Sequence, residues 1–380
     1  MKKRIVSLTL AALMLVSCSG NDSSTAGGGA DLSGEPVKNA YNGAEALMGM
    51  DYGKFTMPSS FEVPVLTNIY TIDYITVPPK YERDQLSKLF ADFLGDKYFE
   101  FDLKDDGIGG VYYNAPTKEG EESNIGAAYS PLGGWLSMTA QDVVRGEDVD
   151  FEHYSHYFVD NNFDVNLDLN GVDTTVAQQA AFIDSEINTL FEGFFDSLEL
   201  KTNAIDVYSD GFMYANIAFA MDGVTLQSWK GDYERVIEGK GREYYETFML
   251  GAEVTPESKV TMIHAINIPT VVSRQPVDRI ISLKRAVGIL QSELPDNFIY
   301  RFSDVRLMYC HKSINPRTTD GITDADLDRQ QQAEYNSSVR TLEPMWCFFI
   351  EKPDEYVGEM IVKVNAITGE VDYDIAPENQ

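Results

Sequence analysis

The sequence predicts an α+β fold of two or three modules, each an amphipathic helix followed by a small antiparallel meander. Three observations predict it. Apolar stripes at helical spacing recur around Leu89, Ile183 and Val287, each is followed by short β-prone runs broken by Gly and charged turns, and each unit carries one Trp, at Trp135, Trp229 and Trp346. The repeat, roughly 100 residues, is too long and irregular for a solenoid. On this reading the chain divides into an export leader at 1–17, a lipidated Cys and flexible tether at 18–50, and modules at 51–145, 146–275 and 276–380.

In the leader, Lys2, Lys3 and Arg4 precede a short apolar run from Ile5 to Val16. A membrane span needs about 20 apolar residues, so this run reads as the core of an export signal. Residues 19–36, SGNDSSTAGGGADLSGEP, have no apolar period and read as a flexible tether with an r.m.s. reach of roughly 25 Å.

The folded part is expected to open near Val63 with a strand-rich run stopped by Pro78 and Pro79. Leu86, Leu89, Phe90 and Phe93 fall at i, i+3, i+4 and i+7, and Gly95 is placed to end that helix. Val176, Ala180, Ile183, Ile187, Leu190 and Phe194 predict the strongest helix, capped by Thr174 or Thr175. The third opens near Pro276 with Ile280, Leu283, Val287, Leu290 and Leu294 as its stripe. Strand-like runs around Met213, Met262, Met308 and Trp346 fill the remainder, and a polar excursion occupies 315–341.

The formal net charge is −30, and loss of the three basic leader residues takes it to about −33. A body this acidic is repelled by nucleic acid and anionic lipid, which excludes both as natural partners of the folded part. A basic peptide, a cation or a basic patch on another protein suits the field. Beyond Cys18 the only cysteines are Cys310 and Cys347, in strand-like runs of the same unit. Spacing leaves open whether they form a disulfide or stay two buried thiols.

Leu15-Val16-Ser17-Cys18 resembles the lipobox of bacterial lipoproteins. That resemblance implies a diacylglycerol on Cys18 and a mature chain anchored to the extracytoplasmic face of the cell membrane. At the other end, Pro344, Trp346, Val364, Asn365, Ala366, Thr368, Gly369, Glu370 and Val371 carry a second resemblance, to PepSY-type modules and the C-terminal unit of YycH/YycI-type extracytoplasmic regulators. The whole layout is similar to lipoproteins of Clostridia-like bacteria. The phrase itself is turn chemistry: Asn365 and Thr368 can bond nearby backbone, and Gly369 suits a positive φ. The resemblance implies a PepSY-like C-terminal unit and a regulatory role without chemistry of its own.

No HExxH, Walker loop, GxSxG elbow or paired CxxC occurs. His153 and His156 form an HxxH pair, but FEHYSHYFV reads as a strand, which puts them on opposite faces. Asp164, Asn166, Asp168 and Asn170 form a weak calcium candidate, lacking a carboxylate at the twelfth loop position, where Ala177 stands. Trp135, after Gly133 and Gly134, is the candidate exposed aromatic platform. These readings predict a non-enzymatic, membrane-anchored protein that binds an envelope protein or peptide and modulates it, with a ligand-binding lipoprotein for a sugar, peptide or cation as the alternative.

Overall fold

The computed structural model describes residues 34–76, 81–107, 110–116, 124–131, 134–140, 154–162, 164–169, 171–195, 198–227, 233–237, 241–245, 248–296, 299–311, 339–351 and 361–374. Order begins well before Val63. Strand β1 (Glu35–Pro36) and two 3-10 turns bury Val37, Ala40, Tyr41, Ala44 and Leu47, and β2 (Phe55–Thr56) and β3 (Tyr70–Ile75) follow. Helix α1 (Arg83–Leu94) buries Leu86, Leu89, Phe90 and Leu94. The Glu82 amide donates to Gln85 Oε1 at its start, and Gly95, at φ 62°, ends it.

Four short strands, β4 (Lys104–Asp105), β5 (Val111–Asn114), β6 (Gly126–Ser130) and β7 (Trp135–Thr139), lead to β8 (Tyr154–Phe158) and the single turn α2 (Val159–Asn162). A hairpin of β9 (Asn166–Leu169) and β10 (Val172–Thr175) delivers the chain to α3 (Val176–Leu190). Thr175 caps it as a capping box: its Oγ1 accepts from the Gln178 amide, and its own amide donates to Gln178 Oε1.

Long strands β11 (Glu199–Tyr208) and β12 (Met213–Met221), then β13 (Val224–Thr225), precede a hairpin of β14 (Tyr233–Ile237) and β15 (Gly241–Tyr245). After β16 (Met249–Val254), β17 (Val260–Ile266), β18 (Thr270–Pro276) and β19 (Arg279–Ile280) comes α4 (Leu283–Glu293). Pro276 thus closes a strand, and the helix starts only at Leu283, because Ile280 is taken up in the ladder to Glu35. The chain ends with β20 (Tyr300–His311), β21 (Arg340–Ile350), β22 (Ile361–Asn365) and β23 (Val371–Asp374).

Most of these strands gather into two large sheets, beside the two-stranded pairs β1-β19, β9-β10 and β14-β15, and the expected α+β arrangement of separate helix-plus-meander modules is wrong. The fold is mostly β, with three α-helices longer than one turn among the described residues. One sheet has ten antiparallel strands in the order β4-β5-β6-β7-β17-β16-β12-β11-β8, with β13 on β12. The other has seven, β18-β3-β21-β20-β2, with β22 on β21 and β23 on β22. The meanders fail as independent units because a short meander leaves open edges with unpaired backbone groups. Here those edges pair across the chain: β7 of the first meander joins β17, with Trp135 opposite Ile266, and β3 joins both β18 and β21. The C-terminal strands are therefore part of a sheet with β2, β3 and β18, and a self-contained PepSY-like unit is not formed.

Strand β21 organises the seven-stranded sheet. It pairs with β20 along one side; along the other, β3 takes Arg340–Leu342 and β22 takes Met345–Phe349. Trp346 at its centre is fully buried, donates from Nε1 to the Ile281 carbonyl at 2.7 Å and meets Tyr41 edge-on at 4.9 Å. The Leu307 amide in turn donates to Tyr41 Oη at 3.3 Å, which stitches the N-terminal turns to β20.

The sheets meet through the side of β20 and β21 that bears Arg306 and Phe349. Arg306 bonds Asp304 and Asn203 and lies over the rings of Phe158 and Phe349, at 5.2 and 5.5 Å. A parallel bridge from Leu226 to Tyr309 ties β13's end to β20. All described residues belong to one compact unit, Ser33–Gln380. Replacing Trp346 with Ala removes a buried indole and strands the Ile281 carbonyl; a loss of about 3–5 kcal/mol in urea denaturation is expected, against about 1 kcal/mol for Tyr41→Phe.

Candidate functional site

The two faces of the ten-stranded sheet differ in how they are covered. One face packs Tyr113, Tyr129, Leu136, Met138, Ile217, Leu250 and Ile263 in the core. Helices α1 and α3 lie on that side; Tyr81, just before α1, meets Tyr129 and Phe194 and donates to the Phe194 carbonyl at 2.6 Å. Most side chains that alternate with these residues point the other way and are half-buried or exposed.

Register places them in rows across as many as six strands. Tyr214 is opposite Glu253, which is opposite Met262, which is opposite Thr139. Beside them run Asn216, Gly251, His264, Ser137, Ala128 and Tyr112. Ile266 and Trp135 form the next pair. A Cβ on Gly251 would stand 1.9 Å from Tyr214 Oη, so the missing side chain is what lets the phenol lie across β16. Glu253 shares its carboxylate with the Thr261 hydroxyl at 3.5 Å. Partial burial pushes the His264 imidazole below its usual range, which keeps it neutral near pH 7. The surface is aromatic and hydrogen-bonding, with a carboxylate at Glu253.

At the β8 edge, His156 Nδ1 and Asp206 Oδ1 are 2.5 Å apart, with Asp206 fully buried and the His156 side chain 36% exposed. A buried carboxylate fixes the ring and leaves the far nitrogen for other partners. His153 lies outside the described residues.

Trp135 is half-buried at one end of the band. Cys310 and Cys347 are both buried free thiols with Sγ atoms 3.4 Å apart, in an apolar cluster with Met308, Met345, Phe349 and Ile361. The residues of the calcium candidate are spread along extended backbone: Asn166 and Asp168 sit on β9 opposite Thr175 and Asp173, Asp164 precedes the strand, and Asn170 lies outside the described residues. Among the described residues no three His, Cys, Asp or Glu side chains are gathered as a metal would need. Cys18 and the whole leader lie outside the described residues, as do Trp229 and most of the excursion at 315–341. No helix of the described residues is long and apolar enough to cross a membrane.

The Asn365–Glu370 turn is held by its own side chains. Asn365 Oδ1 accepts from the Ile367 and Thr368 amides at 2.8 and 3.0 Å, and Thr368 Oγ1 accepts from the Glu370 amide at 3.3 Å. Gly369 adopts φ 77°. Asn365 also donates to Glu343, which fixes the turn to β21.

Sequence reasoning passed over Tyr214, Gly251, Glu253, His264 and the His156–Asp206 pair. The signal available was period-two alternation in MLGAEV and VTMIHAI, which puts Gly251 with Glu253 and Met262 with His264. What alternation cannot give is which strands lie side by side.

A second polar cluster is deeply buried. His311 is completely enclosed, with Nδ1 2.8 Å from Tyr74 Oη, while Arg340 lies over the Tyr74 ring at 5.2 Å and donates to Thr76 Oγ1 at 2.6 Å. Burial first, and the nearby Lys363 second, push the His311 imidazole down to about 3. It is neutral in the native state and serves structure.

No protein-family model matches the chain, and no curated protein matches it.

Two outcomes follow from this geometry. Because His311 titrates near 6.5 when unfolded and near 3 when folded, its contribution is intact above pH 6.5 and is lost as pH falls from there toward 3. The double variant His311→Phe with Tyr74→Phe therefore loses less stability between pH 7 and 4.5 than the parent, by on the order of 2 kcal/mol in urea melts; equal losses would contradict it. Gly251→Ala meets only the movable end of Tyr214, whereas a Cβ at Gly126 stands 2.6 Å from the Tyr113 carbonyl. Thermal melts should show Gly126→Ala destabilised by about 1–3 kcal/mol and Gly251→Ala by less than about 1 kcal/mol.

Proposed function

We propose that the protein is a lipid-anchored extracytoplasmic binding protein, held to the cell membrane through a diacylglycerol on Cys18, that engages an envelope protein or peptide and regulates it without chemistry of its own. The observation that carries the reading is the band from Tyr214 to Tyr112, a broad sheet face of aromatic, amide and hydroxyl side chains opposite the face that α1 and α3 cover. Large aromatic side chains with adaptable polar neighbours are the composition of recognition surfaces. The Gly- and Ser-rich composition that follows Cys18 supports it, because a flexible tether there would give such a surface reach above the lipid.

A second reading is favoured by a separate feature, a groove of about 240 Å³ lined by Pro36, Lys38, Asn68, Pro276 and Asp278. Its ammonium, amide and carboxylate suit a small polar ligand such as a sugar or dipeptide.

Two measurements separate the readings, and a third tests the anchor they share. Cross-linking and capture from intact membranes should recover an envelope protein with the parent and lose it with Gly251→Ala; recovery unchanged by that variant removes the band from the account. Thermal-shift screening of sugars and dipeptides should leave the melting temperature flat, and a shift abolished by Lys38→Ala would favour the groove. Cys18→Ala should move the protein out of the membrane fraction, and retention there would rule out the lipid anchor.

A further inference from the structure

We propose that Cys310 and Cys347 close to a disulfide by exchange with a disulfide oxidant, and that this bond staples β20 to β21 beside the joint between the two sheets. The bond is independent of what the face of the ten-stranded sheet holds.

The fold brings the two sulfurs into contact. Their Sγ atoms are 3.4 Å apart and fully enclosed, although the residues are 37 positions apart in sequence. Disulfide sulfurs lie about 2.05 Å apart, so the pair has to close by roughly 1.4 Å. Ladder register alone does not make this contact. Cys310 is opposite Glu343 and Cys347 is opposite Arg306, with the Met308–Met345 pair between them. Sulfurs that touch across that diagonal require β20 and β21 to coil tightly about each other, with both thiols on the inside of the curve.

The surroundings suit a bond. Met308, Met345, Phe349 and Ile361 complete an apolar cluster around the pair. A disulfide carries no polar hydrogen that such a cluster would have to satisfy. Closure gives up the Cys347 thiol's contact with the Met345 carbonyl at 3.7 Å, which is a weak bond. The exchange balances with the two thiols and the oxidant alone. One thiol loses its proton and its sulfur attacks the oxidant's disulfide, releasing one half as a thiol; the second sulfur then displaces the other half. The protein's thiols are oxidised, the oxidant is reduced to two thiols, and the two protons leave with them. An extracytoplasmic location would supply such an oxidant, whereas cytosolic reductants keep thiols reduced. Because both side chains are enclosed, exchange runs while the chain folds or when the strands open.

The position gives the bond a structural consequence. Cys347 is opposite Arg306 in the ladder, and Phe349 of the same cluster carries the Arg306 guanidinium over its ring at 5.5 Å. Fixing the coil of these strands fixes the base from which Arg306 reaches Asn203 and Phe158. The bond also closes a long stretch of chain, which restricts the unfolded state.

The test uses the full chain carrying Cys18→Ala, in which these two are the only thiols. It is equilibrated with mixed reduced and oxidised glutathione in two arms: folded, just below its urea transition where opening admits the oxidant, and during refolding from urea. Samples are then denatured, labelled with a maleimide polymer and weighed by mass spectrometry. Chain held in dithiothreitol should take two labels. Oxidised chain from either arm should take none and weigh two hydrogens less, as a monomer. Its melting temperature should stand roughly 5 °C above that of the reduced chain, and the double variant Cys310→Ala with Cys347→Ala should melt alike in both buffers. Two labels in both arms, glutathione adducts, linked dimers, or a loss of label that a chelator reverses would each overturn the bond. Equal melting temperatures for the oxidised and reduced chain would overturn the staple.

Discussion

Two large sheets present four faces, and among the described residues the helices longer than one turn, α1, α3 and α4, are too few to cover them. That constraint shapes the rest of the molecule. Helices α1 and α3 share one face of the ten-stranded sheet, and α4 with the N-terminal turns packs toward Trp346 on the seven-stranded sheet. The side of β20 and β21 that bears Arg306 is met by β8 and β11 through Phe158 and Asn203. The stretch of the ten-stranded sheet beyond that joint, from β12 to β5, keeps most of its outward side chains in partial contact with solvent. Its composition is accordingly polar and aromatic, where the inward face is aliphatic and aromatic.

The joint between the sheets is unusual in being charged. Asp304 and Arg306 are both buried, and Asp206 is buried beside His156 on the neighbouring strand. Such groups cost desolvation and are tolerated when each is bonded. What they add here is register: Arg306 fits only where Asp304, Asn203 and the rings of Phe158 and Phe349 converge, so one sheet cannot slide on the other without exposing an unpaired charge.

Much of the local structure was legible in the sequence. The stripes of α1 and α3, the Thr175 cap and the Asn365–Gly369 turn all rest on interactions between residues close in sequence, which spacing and side-chain chemistry reveal. The architecture was not legible, because it depends on which edges find one another. Trp135 reaches Ile266 across more than a hundred residues of chain, and nothing in either run specifies that partner. The same limit hid the candidate site: Tyr214, Glu253, Met262 and Thr139 come from four separate strands and form a row only once β12, β16, β17 and β7 are neighbours. Pro276 illustrates a different failure. Its preference for a helix start was outweighed by pairing with Tyr70, a place a proline can take at the end of an edge strand.

The account stands on the claim that the face of the ten-stranded sheet opposite α1 and α3 is the working surface. Amide hydrogen exchange of the protein alone and saturated with its captured partner tests that claim most directly. Slowed exchange confined to β12, β16, β17 and β7, with α1, α3 and the Lys38–Asp278 groove unchanged, is the predicted result. Slowing on the helical side or in the groove, with those four strands unaffected, would contradict it.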